Sequence, residues 1–395
     1  MKRELLHTPE GVRDIYNEEC EKKLVLEKNM MSMLKTYGYH PIQTPTFEFF
    51  DIFAREIGST SSRELYKFFD REGNTLVLRP DITPSIARCA AKYFSDTRIP
   101  LRFCYNGNTF INNLSYQGRL KECTQAGAEL IGDSSVDADA EMIALAVQLL
   151  KTAGLTDFQI SIGHVDFLGG LLEAAGMDEE TEEQVKEFIS NKNFYGVEEI
   201  VEGLSLDENL TDLFAMLKDY MTSAETIRAA QEKAAGYEKI YGALKRLEQL
   251  DEILKLYHVE EYVSYELAML SGLEYYTGII FAGYTFGTGE AIVKGGRYDD
   301  LLTYFGKQAP ATGFAIVIDQ LMAALSRQNI DIPFENQTVW IVYNCQNRAN
   351  AMVIAGKLRK AGENVEMMKL TEGITKEMYE EYARKCQVKD IIYCL

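Results

Sequence analysis

The sequence has no apolar run near the roughly 20 residues that a membrane helix requires, so no membrane span is expected. The stretch Met1 to Glu10 carries charge with no apolar segment behind it, so no signal peptide is expected and the protein is expected to be cytoplasmic. Its seven cysteines, at positions 20, 89, 104, 123, 345, 386 and 394, form no CxxC pair. That scatter argues against zinc ribbons and a disulfide framework and fits reduced, structural thiols. The four histidines, His7, His40, His164 and His258, stand apart from Cys or Asp clusters, so no metal site is expected. Internal repeats and low-complexity segments are also lacking. Positive charge is scarce: 41 basic against 60 acidic residues give a net charge of −19. Nucleic-acid binders neutralise phosphates with Lys and Arg, so this balance argues against tRNA or any other nucleic acid as a partner, unless a basic patch is local.

What is present fits a soluble globular protein with room for two or more domains: 395 residues, 46% hydrophobic and 26% charged. Residues 17–37 read as an amphipathic helix stopped by Gly38. A second helix is expected over 135–153, capped by Ser135, with Asp137 and Asp139 suiting its N-terminal dipole and Gly154 ending it. Thr75–Leu78, Leu101–Ile111 and Leu120–Ile131 read as strands, with further strand signals at 262–270 and 275–286. In the third, Gln125 and Glu129 lie four apart and so share one face. A Glu among Ala126, Ala128 and Leu130 points to a polar pocket, because a buried carboxylate needs partners. Alternation alone equally allows a half-exposed strand with a solvated Glu.

Residues 171–255 read as an acidic helical insertion, and a helix is expected over 313–326. Strands and helices without regular βαβ alternation favour an α+β fold with a largely antiparallel sheet. Ile330 to Asn336, containing Pro333, reads as a linker, which divides the chain into domains at 1–330 and 331–395. The second reads strand, helix, strand, helix, strand over Thr338–Tyr343, Ala349–Ala361, Val365–Met368, Lys376–Cys386 and Ile391–Cys394, a small α/β domain. It carries nine acidic and nine basic residues, no footprint for an RNA reader.

Short motifs are more specific. Pro9-Glu10-Gly11-Val12-Arg13-Asp14, Gly38-Tyr39 with Thr44-Pro45 and Phe47-Glu48, and Leu78-Arg79-Pro80-Asp81-Ile82-Thr83-Pro84 occur in order. They are followed by Gly118-Arg119 through Gln125, Glu129 and Gly132, then Gly272-Leu273-Glu274-Tyr275-Tyr276-Thr277-Gly278, Gly295-Gly296-Arg297-Tyr298-Asp299 and Gly313-Phe314-Ala315-Ile316. The set resembles the histidyl-tRNA synthetases of the class II aminoacyl-tRNA synthetase family, from the opening segment through motifs 1, 2 and 3. The resemblance implies a class II synthetase-like antiparallel sheet flanked by helices, and a dimer formed through the motif 1 segment. The C-terminal domain resembles a truncated anticodon-binding domain. Asp81, Thr83, Gln125, Glu129, Tyr275 and Tyr276 match positions that contact the amino group and imidazole of histidine in that family.

The departures are concentrated where the family holds ATP. Its motif 2 Arg and Glu are matched by Ile111 and Asn113, its histidine-specific Arg by Ser271, and its motif 3 Arg by Gln320. Arg grips phosphate through bidentate, charge-assisted bonds that Ile, Ser and Gln do not imitate. Losing one transition-state donor costs on the order of a hundred- to a thousand-fold in rate, so no aminoacylation is expected unless Arg102, Arg119 or Arg297 takes over.

The chain therefore resembles the ATP phosphoribosyltransferase regulatory subunits, which carry synthetase motifs without the catalytic arginines. This resemblance implies no cofactor and no enzyme activity of its own. The implied partner is a short-form catalytic subunit, assembled with it as a hetero-octamer built on synthetase-like dimers. The implied role lies at the first step of histidine biosynthesis, activating that subunit and letting histidine inhibit it as effector. Histidine would bind in the inherited pocket or at the interface between subunits; Asp81, one methylene shorter than the family's Glu, and Ser271, no longer a cation, tilt the balance toward the interface. An active histidyl-tRNA synthetase and another synthetase-like paralogue are the alternatives.

Overall fold

The computed structural model describes residues 6–53, 60–113, 120–218, 220–221, 224–273, 275–334, 338–386 and 388–395. The quoted motif residues Gly118, Arg119 and Glu274 lie outside them, as do Asn336 and the first five residues. The chain divides into two units, one of residues 1–14 and 26–331, the other of residues 15–25 and 332–395.

In the larger unit, nine strands among the described residues form one sheet. Leu101–Phe110 pairs antiparallel with Glu122–Ile131, which continues antiparallel through Ala311–Val317, Val293–Arg297, Ile279–Thr285 and Phe158–His164. Parallel pairing occurs only toward the margins, between His40–Pro41 and Leu101–Phe110 and between Phe158–His164 and Val263–Glu266. Helix Val136–Thr152 packs on the middle of the sheet. Its Ser135 cap accepts from the Ala138 amide at 3.2 Å, and eleven of its residues are buried. Between Val165 and Leu256 the described elements are almost all helical. Asp178, Asn193 and Asp207 cap three of these helices by accepting backbone amides.

The sheet and its helices match the α+β, synthetase-like architecture implied by the motifs. Three boundaries are corrected. The helix expected from 313 begins only at Ile318, because Ala311–Val317 is a strand hydrogen-bonded on both sides. Its apolar residues suit either period, and the sheet partners decide. The expected 262–270 strand shrinks to Val263–Glu266, and Tyr275 and Tyr276 precede the Ile279–Thr285 strand instead of lying in it. Phe158–His164 is a strand that the sequence does not signal. Burial on both faces leaves it no alternation to read.

The smaller unit holds a three-stranded parallel sheet, with Thr338–Tyr343 between Asn364–Lys369 and Asp390–Cys394. Helices Arg348–Lys360 and Lys376–Lys385 make the crossovers, and Ile341, Ala351, Ala355 and Cys394 form its core.

Candidate ligand-binding site

Three segments of the larger unit converge on one face of the nine-stranded sheet. Strand Glu122–Ile131 contributes Gln125 and Glu129 to the floor; the start of helix Thr83–Tyr93 contributes Asp81 and Thr83; the loop before Ile279–Thr285 contributes Tyr275 and Tyr276. All six line a cavity of about 360 Å³. The structure therefore brings together every residue matched to histidine contact.

Glycines make this floor possible. Glu129 lies across Gly313 of the neighbouring strand, where an added Cβ would sit 1.7 Å from Glu129 Oε2. At Gly296, one strand further, a Cβ would come within 2.8 Å of the Tyr276 ring. Any side chain at either place would displace a pocket residue.

Glu129 is 1% exposed, which rules out the solvated alternative. Thr83 Oγ1 donates to Oε1 at 2.7 Å, and the Tyr298 hydroxyl donates to Oε2. Burial pushes its carboxyl up to about 8, with the nearby negative charge of Asp81 adding and the bonds from Tyr298 and Thr83 only partly offsetting. Asp81 is tied down by the Thr83 amide at 3.1 Å and by the Tyr275 hydroxyl at 2.9 Å. Burial raises it too, against those two bonds. Burial and the two carboxylates also raise the Tyr275 and Tyr276 phenols, so both stay protonated donors. Gln125 Oε1 is buried with no hydrogen-bond partner among the described residues. Two buried acids bonded only by neutral donors are suited to a cationic or N–H-rich ligand, whose arrival would supply the charge they lack.

Around this floor the substituted positions divide. Ile111 and Ser271 line the cavity; Asn113 and Gln320 do not. Ser271 closes a turn, its Oγ donating to the Leu273 carbonyl at 2.6 Å and accepting from the Leu273 amide at 3.0 Å. Of the three arginines named as substitutes for the lost cations, two are committed elsewhere. Arg102 pairs with Glu141 at 3.0 Å. Arg297 is 3% exposed and holds Asp139 at 2.7 Å and Asp299 at 3.0 Å. The third, Arg119, lies outside the described residues.

The family model described as histidyl-tRNA synthetase matches residues 11–321. An ATP phosphoribosyltransferase regulatory subunit from Ruminiclostridium cellulolyticum is 40% identical over 393 residues, covering 100% of this chain and 93% of that protein. Another from Acetivibrio thermocellus is 41% identical over 362 residues, covering 92% and 86%. The chain belongs to the ATP phosphoribosyltransferase regulatory subunit family. That family stands on the histidyl-tRNA synthetase scaffold. A solved structure from Bacillus halodurans C, described as an ATP phosphoribosyltransferase regulatory subunit/histidyl-tRNA synthetase, superposes with a TM-score of 0.84 at 35% identity, covering 99% of this chain and 98% of that one. A histidyl-tRNA synthetase from Nostoc sp. PCC 7120 shares the fold, with a TM-score of 0.77 at 21% identity over 96% of this chain and 89% of that one.

Within this regulatory-subunit chain, sequence reasoning missed Tyr298 and Lys294 as cavity residues. Tyr298 sits inside a quoted motif, but only the folded sheet points its hydroxyl at Glu129. Lys294, just ahead of the two glycines, carries no sequence signal of its own. No metal-holding group of His, Cys, Asp or Glu occurs among the described residues, and no described helix is long and apolar enough to cross a membrane.

Proposed function

We propose that the chain is a non-catalytic partner of a short-form ATP phosphoribosyltransferase catalytic subunit, raising its turnover and conferring inhibition by histidine held in the cavity described above. One observation carries this reading. The six residues matched to histidine contact line one cavity, whereas the positions matched to ATP-gripping groups hold Ile111, Asn113, Ser271 and Gln320. A scaffold that keeps its ligand pocket and loses its phosphate cations can sense without adenylating. Regulation then requires that histidine bind two states of the assembly unequally. The gathering of all six matched residues around one cavity supports that cavity, over a subunit interface, as the histidine site. The regulatory-subunit names of the relatives support the partnership.

Assembly follows the same reading: a dimer through the motif 1 segment, built with the catalytic subunit into a hetero-octamer, four copies of each. Phe47 and Phe49 support this dimer face, because they remain 52% and 54% exposed while Glu48 between them turns inward to Arg88.

The test mixes the full chain with a short-form catalytic subunit. Co-purification, a gain in turnover and its loss on adding histidine are expected, with no histidine-dependent ATP–pyrophosphate exchange by the chain alone. Robust exchange would replace this reading with an active synthetase. Absence of both binding and exchange would leave a different paralogue.

A further inference from the structure

Lys294 lies in strand Val293–Arg297, with Ala315 opposite on one side and Ala282 on the other. Gly296, two residues on, faces Gly313, which in turn faces Glu129. Alternation therefore places Lys294 on the same sheet face as Glu129. Two strands across and two residues along separate their backbones by about 12 Å. Both alanines are small, and all three residues line the cavity. Lys294 is exposed and makes no hydrogen bond or ion pair among the described residues, unlike Arg102 and Arg297. Among the described cavity-lining residues it is the cationic side chain.

The cavity thus has two unlike polar ends, the acids Asp81 and Glu129 on its floor and an ammonium on its wall. That pattern fits a dipolar ligand. We propose that Lys294 is the carboxylate-binding residue of this pocket, anchoring a zwitterionic α-amino acid whose amino group and side chain are received by Asp81, Gln125 and Glu129. The inference rests on the amino-acid reading of the pocket given above and adds a specificity-determining residue to it. Ser271, spent on its own turn, offers no charge for that task. A charge-assisted bond to a carboxylate is strong enough to separate an amino acid from its decarboxylated analogue.

The test is calorimetric titration of the full-length protein with L-histidine and with histamine, for wild type, Lys294→Met and Lys294→Arg. Wild type is expected to prefer L-histidine. Lys294→Met should weaken L-histidine at least tenfold and change histamine less than twofold, and Lys294→Arg should restore most of the loss. Unchanged L-histidine affinity in Lys294→Met would overturn the proposal, as would equal losses for both ligands. Wild type binding histamine as tightly as L-histidine would also overturn it while keeping the acidic, cation-receiving end of the pocket. Wild type binding neither ligand would bring down the amino-acid reading and this inference together.

Discussion

Two sets of buried acids, on opposite faces of the same sheet, are treated in opposite ways. Asp139, its side chain 0% exposed, is clamped by Arg297 at 2.7 Å and Arg246 at 2.6 Å. Arg297 directly follows Gly296, so its side chain leaves the face opposite Glu129. Asp81 and Glu129 receive only hydroxyls and an amide. Charge that serves the fold is neutralised within the fold. Carboxyls denied a protein cation stay short of charge until a ligand brings it. The contrast extends to pH: burial, with Arg246 and Arg297, pushes His164 down to about 4 near the first cluster, whereas burial pushes Glu129 up to about 8.

The contrast can be broken most severely at Arg297. Arg297→Met leaves Asp139 half-compensated in the interior and is expected to cost about 3–5 kcal/mol, read as a fall in the urea midpoint. A loss below about 1 kcal/mol would mean that the cluster is not the structural charge described here.

The pH profile sharpens it next. Glu129 binds a proton in the native state between its ordinary value of 4.5 and about 8, where the unfolded chain has released it. Stability therefore falls as pH rises through that window, by up to roughly 1.4 kcal/mol per unit, and levels off above it. His164 acts with the other sign. Between 6.5 and about 4 the unfolded chain binds the extra proton, so stability falls as pH falls. The two oppose each other between 4.5 and 6.5, so the comparison is made from pH 6.5 to 9, above the His164 window. Over that range Glu129→Gln should flatten the wild-type decline in denaturation midpoint. An identical slope in both proteins would contradict the assignment.

Gly313→Ala is expected to cost about 1–3 kcal/mol by overpacking. It should also abolish L-histidine binding in calorimetry, because the new Cβ occupies the place of Glu129 Oε2. Retained binding would show that Glu129 is not needed in this position. At the far end, Glu380→Gln removes an exposed pair with Lys376 in the smaller unit and should change the urea midpoint by less than about 0.5 kcal/mol. A larger loss would blur the distinction between interior and surface charge.

The site was legible in the sequence because local spacing and motif order survive without coordinates. Asp81 and Thr83 flank a helix start, and Gln125 and Glu129 share a face by alternation alone. Lys294 and Tyr298 were not legible as site residues, since their roles depend on which strand lies beside Ala311–Val317. The same non-local pairing turned 313–317 into strand where a helix was expected, and it buried Phe158–His164 beyond recognition by alternation.

By itself, the sequence determined the family, the inventory of acids and phenols, and the absence of arginine at the matched ATP positions, because those are matters of residue identity and order. Only the tertiary structure decided which charges meet. Arg297 and Glu129 come from two motif segments of one sheet, yet the pleat sends one to a buried salt bridge and the other to the cavity. Strand register is the physical reason: shifting it by one residue would exchange the two faces.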